Sequence, residues 1–258
     1  MEETGKNPIQ VAERLFQVIE RLAENGPMGI MDLSAELGFH KSTTHRLVTS
    51  LQYMGYIRQD EESLKYALSL KFLEIGSKIL EQTNMASLIH PSLKKLSEQT
   101  GETVHLVRRE GTEAVYIDKV ESTVSSIRMV SRVGSRIPLY CSGVGKALLA
   151  ELPDPEIEDI WNSSEITSLT PYTVTSLSDL MDRIREVREA GYAMDDEENE
   201  EGVRCIAVSI PDYHKEPVYA LSISAPVSRM TDARIAELST DVLTFKKDLE
   251  KTLGFSRS

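Results

Sequence analysis

The chain has 258 residues, with 29 Lys plus Arg against 41 Asp plus Glu, a formal net charge of −12, and 40% of its residues apolar. That balance excludes a disordered chain, leaves room for two domains with substantial cores, and argues against general coating of nucleic acid. Cys141 and Cys205 make neither a disulfide framework nor a zinc pattern, no apolar run approaches the ~20 residues that span a bilayer, and the polar start "MEETGKNPIQ" is no secretory signal. A cytoplasmic protein with free thiols, no cofactor, no metal and no membrane partner is the expectation.

From Ile9 to Asn25 the apolar residues Val11, Leu15, Val18, Ile19 and Leu22 recur at helical spacing, and Gly26 with Pro27 ends the pattern. A second helix, "IMDLSAELG", carries Ile30, Leu33 and Leu37 on one side and stops at Gly38. Only Phe39 to Lys41 separate it from a third, which is the helix-turn-helix spacing. Ser42 reads as the N-cap of that helix. Leu47, Leu51 and Met54 share its inward face. The opposite face then holds Lys41, Ser42, His45, Thr49, Gln52 and Tyr53, with Thr43 beside them and Arg46 at the edge. No acidic residue occurs between Leu37 and Gln59 in this otherwise acidic chain. A surface rich in donors and free of carboxylates suits phosphates and base edges. "YIRQD" and "LKYALSL" around "EES" read as a β-hairpin wing, with Arg58 and Lys65 available for phosphates. Residues 1–69 thus read as a mainly α, winged helix-turn-helix DNA-binding domain.

Residues 70–84 read as a connecting helix, with Leu70, Leu73, Ile75 and Leu80 at mixed helical spacing. The pattern then alternates. "TVHLVRRE" and "EAVYIDKVES" read as strands around Glu110-Gly111-Thr112, "SSIRMVSRV" as a third strand, and "VRCIAVSIPD" with "PVYALSISAP" as another pair around "YHKE". Helices are expected at Gly143 to Leu152, Asp154 to Asn162, Ser176 to Ala190 and Thr231 to Leu253. Residues 85–258 therefore make an α+β domain, one antiparallel sheet covered by helices. "DDEENEE", Asp195 to Glu201, reads as a solvated loop.

"GVGK", Gly143 to Lys146, fails as a phosphate loop because Tyr140 stands at its first glycine position and Ala147 where Ser or Thr should be. A glycine-rich turn opening a helix still offers free N–H groups to a small carboxylate, or is simply a tight turn. The two cysteines lie in no nucleophile motif and read as core residues within apolar strands; the five histidines do not cluster in sequence. Ser222 and Ser224 alternate in "ALSISAP" and share one sheet face. An enzyme acting on a small acid through Cys205 or Asp195 is the alternative, but no set of nucleophile, base and orienting group is legible.

Five pieces in order, "HKSTTHRLVTSLQYMGYI", "YALSLKFLEIG", "GSRIPLYCSGVGKALLA", "GYAMDDEENEEGVRCIAVSI" and "VYALSISAP", resemble the IclR family of bacterial transcription regulators over essentially the whole chain. The resemblance implies a GAF-like effector-binding and oligomerisation domain, a homodimer or homotetramer on double-stranded operator DNA, and a ligand-responsive regulator, taken as a repressor. It also implies a ligand pocket in which Gly143 and Val144 present backbone N–H groups to a carboxylate. Asp195, Cys205, Ser222 and Ser224 would supply the polar contacts. Val144 stands where the family often has Ala, a change that a backbone contact tolerates. "SSIRMVSRVGSRIPLYCSGVGKALLA" is further similar to the subgroup that senses sugar acids such as 2-keto-3-deoxygluconate.

Overall fold

The computed structural model describes residues 8–82, 85–122, 131–212 and 214–253. The chain divides into two compact units, Met1–Thr83 and Asn84–Ser258.

The first unit is built on α1 (Gln10–Asn25), α2 (Ile30–Leu37) and α3 (Lys41–Tyr53). Their apolar stripes meet in one core of Val18, Leu22, Leu33, Leu47, Val48 and Leu51, closed by Ile57 and Tyr66. Gly38 (φ 66°) ends α2 in the left-handed conformation, and the Phe39 N–H returns to the Ser34 carbonyl at 3.1 Å. This tight end sends the chain directly into α3. The wing is β1 (Ile57–Gln59) antiparallel to β2 (Tyr66–Leu68). Met28 and Tyr66 exchange backbone hydrogen bonds at 2.9 and 2.8 Å, so the wing is anchored to the link between α1 and α2, a pairing the sequence pattern had not suggested. The connecting helix α4 (Lys71–Gln82) starts against the end of α3. Lys71 Nζ donates to the Met54 carbonyl at 2.7 Å and lies 4.3 Å from the Tyr56 ring centre, a cation placed at the negative end of a helix.

The second unit is a six-stranded antiparallel sheet in the order β5-β4-β3-β8-β7-β6. Its strands are β3 (Thr103–Glu110), β4 (Glu113–Val120), β5 (Arg136–Pro138), β6 (Ala193–Asp196), β7 (Val203–Ile210) and β8 (Tyr219–Pro226). One face carries Val104, Leu106, Ile206, Val208, Ile210, Leu221 and Ile223 and packs on α5 (Met85–Thr100) and α9 (Asp232–Thr252). The other packs through Val107, Ala114, Ala193, Ala207 and Ala220 on α6 (Gly143–Ala150), α7 (Asp154–Asn162) and α8 (Leu177–Ala190). Alanines on β6 and β7 let α6 come close: a Cβ on Gly143 would sit 3.5 Å from Ala207 Cβ and from Asp195 Cβ. A Cβ on Gly145 would collide with the Leu139 backbone, so that glycine is required by space.

Several expectations change. Helix α5 was not anticipated; Pro91 inside it disguises the spacing of Ile89, Leu93 and Leu96. The expected strand "SSIRMVSRV" lies largely outside the described residues, and the edge strand there is Arg136–Pro138. Cys141 sits in the turn before α6 rather than in a strand, though it is fully buried. Met54 is 39% exposed, because α3 ends at Tyr53 and the buried stripe is Thr44, Leu47, Val48 and Leu51. "DDEENEE" is not simply a solvated loop: it begins in β6, and Asp195 and Glu198 are 3% and 5% exposed.

Candidate functional site

Two surfaces carry the polar chemistry, one in each unit. On α3 the residues Lys41, Ser42, His45, Arg46, Thr49, Ser50, Gln52 and Tyr53 are exposed and Thr43 is half-buried. Ser42 is not the N-cap. The helix begins one residue before it, with His40 at the cap position and no side-chain cap hydrogen bond. Thr43 and Thr44 donate to the His40 carbonyl, whereas the N–H groups of Lys41 and Ser42 have no partner among the described residues. The helix therefore presents two free amides and a positive dipole end beside Lys41. His45 Nδ1 and Thr49 Oγ1, one turn apart, are 3.5 Å from each other, too far for a strong bond, so both remain available. Arg58 is exposed on the wing, where the turn is tightened by Asp60, which accepts from Ser63 N and Oγ at 2.8 and 2.7 Å.

In the second unit the sheet face toward α6 contains a band of polar side chains. Sheet pairing puts Asp195, Cys205, Ser224 and Thr103 in one row, and Ala207, Ser222, His105 and Lys119 in the next. Asp195, Ser222, Ser224, Thr103 and His105 are buried, and Cys205 is half-buried. At the start of α6, Ser142 Oγ accepts from Gly145 N at 3.1 Å and donates to the Pro138 carbonyl at 2.6 Å. That cap takes one amide. The N–H groups of Gly143 and Val144 are left without a partner among the described residues, and both residues are buried. Asp195 Oδ1 accepts from Glu198 N at 2.9 Å and Asn199 N at 3.3 Å, which folds the acidic hairpin back toward α6.

Electrostatics separates this interior from an enzyme centre. Burial raises the Asp195 pKa to about 7, opposed by Lys146 and reinforced by Glu198. Burial pushes Cys141 up to about 12 and raises Cys205 as well, so neither thiol is an activated nucleophile. Burial, with Lys119 nearby, lowers the His105 pKa to about 3, which makes a neutral hydrogen-bonding imidazole and a poor base. No group of three or more His, Cys, Asp or Glu suited to a metal occurs among the described residues.

The sequence pattern missed the ion pair between Lys146 and Glu198, whose side chains are 1% and 7% exposed. A single lysine inside the apolar run "GVGKALLA" was the available signal. It also missed His105 and Tyr116, whose rings meet edge to face at 5.1 Å. Only strand pairing brings these side chains to the serines.

A winged helix-turn-helix unit followed by an α+β unit with a buried band of polar side chains on its sheet is the architecture of a DNA-binding regulator with a sensory domain. Two family models match the chain: "IclR helix-turn-helix domain" over residues 11–61 and "Bacterial transcriptional regulator IclR C-terminal" over residues 77–250. The chain belongs to the IclR family, ligand-responsive DNA-binding repressors rather than enzymes. It is 36% identical to the acetate operon repressor of Salmonella typhimurium over 252 residues, covering 96% of this chain and 92% of the relative. It is 35% identical to the regulator KdgR of Escherichia coli, over 97% of this chain and 95% of that one. The Thermotoga maritima IclR structure is similar with a TM-score of 0.64 at 31% identity, covering 95% of this chain and 99% of that one. No described helix is long and apolar enough to cross a membrane.

Proposed function

We propose that this regulator is a cytoplasmic repressor that reads operator DNA with α3 and the wing and is governed by a small carboxylate or sugar acid bound beside α6. Lys41, Ser42, Thr43, His45, Arg46, Thr49 and Arg58 meet the duplex. Gly143, Val144, Asp195, Cys205, Ser222 and Ser224 meet the effector. The observation that carries the DNA assignment is the exposed, acid-free face of α3, whose first two amides have no partner among the described residues. Such an end fits a backbone phosphate while Arg46 and Thr49 reach base edges.

The working form is a homodimer or a pair of dimers. Phe16 (61% exposed) on α1 and Leu70 and Leu73 at the start of α4 are exposed apolar side chains, which a second copy would cover. Two copies place their α3 helices in major grooves about one helical turn, ~34 Å, apart. The effector changes DNA affinity through its unequal affinity for two arrangements of the dimer, with α4 as the element that shifts.

Arg46→Ala is expected to weaken operator binding by about 10- to 100-fold, the ~1–3 kcal/mol of one base-reading arginine, with an unchanged melting temperature. An unaltered operator Kd at matched salt would remove Arg46 from the interface. Ser222→Ala combined with Ser224→Ala is expected to blunt the effector response and spare operator binding by the free protein. A normal ligand titration in that variant would take both serines out of the pocket.

A further inference from the structure

The polar band on the sheet face toward α6 has a second end, and its geometry is independent of the α6 amides. Strand β3 is shifted in register against β4 between Leu106 and Val107: Leu106 pairs with Asp118, whereas Val107 pairs with Tyr116. The extra residue in β4, Ile117, puts Tyr116 and Lys119 on the same sheet face although they are three apart in sequence. Tyr116 is thereby brought onto the His105 ring, on the sheet face toward α6 rather than the face toward α5, where Asp118 instead meets His90 at 2.8 Å. The Tyr116 phenol lies close enough to feel the Cys205, Asp195 and Glu200 charges, and no described residue hydrogen-bonds its hydroxyl. Burial raises its pKa, so it stays protonated and can donate.

His105 Nε2 is 2.7 Å from Ser131 Oγ. Its Nδ1 is 3.4 Å from both Ser222 Oγ and Ser224 Oγ, and the two serine hydroxyls are 3.5 Å apart. Good bonds of these kinds are close to 2.8 Å, so the three groups are drawn together without being satisfied by one another. Buried groups left in this state favour a ligand that completes them. With Nε2–H given to Ser131, Nδ1 accepts from a serine hydroxyl. The serine oxygens then have lone pairs for a ligand O–H, and the Tyr116 O–H is free to donate to a ligand oxygen.

We infer that His105 and Tyr116 are specificity-determining residues that read hydroxyl or keto oxygens on the effector, selecting short hydroxylated acids over aliphatic or aromatic ones. This rests on the carboxylate being held at Gly143 and Val144. An acid without such oxygens would leave the Tyr116 hydroxyl and the free serine lone pairs without a ligand partner, the arrangement by which a polar site rejects an apolar analogue.

The test is calorimetric titration of the full-length protein with gluconate and with hexanoate, which share a six-carbon chain and a carboxylate, for the wild type, Tyr116→Phe, His105→Gln and His105→Leu. Gluconate is expected to bind the wild type at least 100-fold more tightly than hexanoate. Tyr116→Phe, which keeps the ring against His105, is expected to cut that ratio about tenfold or more through weaker gluconate binding, with hexanoate unchanged. His105→Gln, which keeps a donor and an acceptor, is expected to retain more of the ratio than His105→Leu. Equal affinities of the wild type for the two acids, or a ratio unmoved by Tyr116→Phe, overturns the inference and leaves the carboxylate site standing. Binding of neither acid by folded wild-type protein overturns the carboxylate reading and this inference together.

Discussion

The start of α3 and the start of α6 both leave their first two amides without a partner among the described residues, yet they stand in opposite surroundings. At α3 the amides sit among exposed Lys41, Ser42 and Arg46, with no carboxylate nearby in sequence. In the proposed function each ion contact there would be screened, individually weak and sensitive to salt, with strength coming from many phosphates at once. At α6 the amides are buried beside Asp195, with Ser142 as a cap and the Lys146–Glu198 pair one turn further on. In the proposed function a single carboxylate there would be fully desolvated, and its recognition would depend on every neighbouring group. The same backbone feature would then serve a broad polyanion where it faces water and a small anion where it faces the interior.

The largest effect that sharpens this contrast belongs to the buried end. Lys146→Met removes the ion-pair partner of buried Glu198, and is expected to cost about 3–5 kcal/mol in urea unfolding. Adding Glu198→Leu should recover most of that loss. A single variant as stable as the wild type would show that the pair does not hold the acidic hairpin to α6.

Next in size is a pH effect. Asp195 is raised from 3.8 to about 7, so between about pH 4 and 6.5 the native chain holds a proton that the unfolded chain releases. Stability from this group is therefore lost as pH rises toward 7. His105 is lowered from 6.5 to about 3, so in the same window the unfolded chain binds a proton that the native chain refuses. Its effect has the opposite slope, and the two largely cancel. Asp195→Asn should unmask the histidine: stability would then rise between pH 4 and 6.5 with a slope approaching ~1.4 kcal/mol per pH unit. Parallel curves for the wild type and the variant would break this account of the interior.

The smallest effect belongs to the surface end. Arg58→Ala on the wing should leave stability unchanged and reduce the log–log salt slope of operator binding by ~0.9, one released counterion. An unchanged slope would place the wing away from the phosphates.

The helix-turn-helix was legible because its physics is local. Gly38, the acid-free run and the periodicity of Leu33, Leu47 and Leu51 each act within a few residues. Ser42 was misplaced as the cap because helix starts shift by a residue at little cost, and the structure puts His40 there. The acidic hairpin was misread for a different reason. A run such as "DDEENEE" signals solvent by composition, and only the neighbouring Lys146 and the amides of Glu198 and Asn199 make burial of Asp195 and Glu198 affordable.

By itself the sequence determined the two-part architecture, the polar face of α3, the glycine-rich first turn of α6 and the serine pair on β8, because helix and strand periods act over short distances. Tertiary structure alone decided which polar groups face one another. Pairing of β3 with β8 sets His105 against Ser222, and one extra residue in β4 turns Tyr116 onto the same sheet face. Register is a property of two strands, so no single stretch of the chain encodes it.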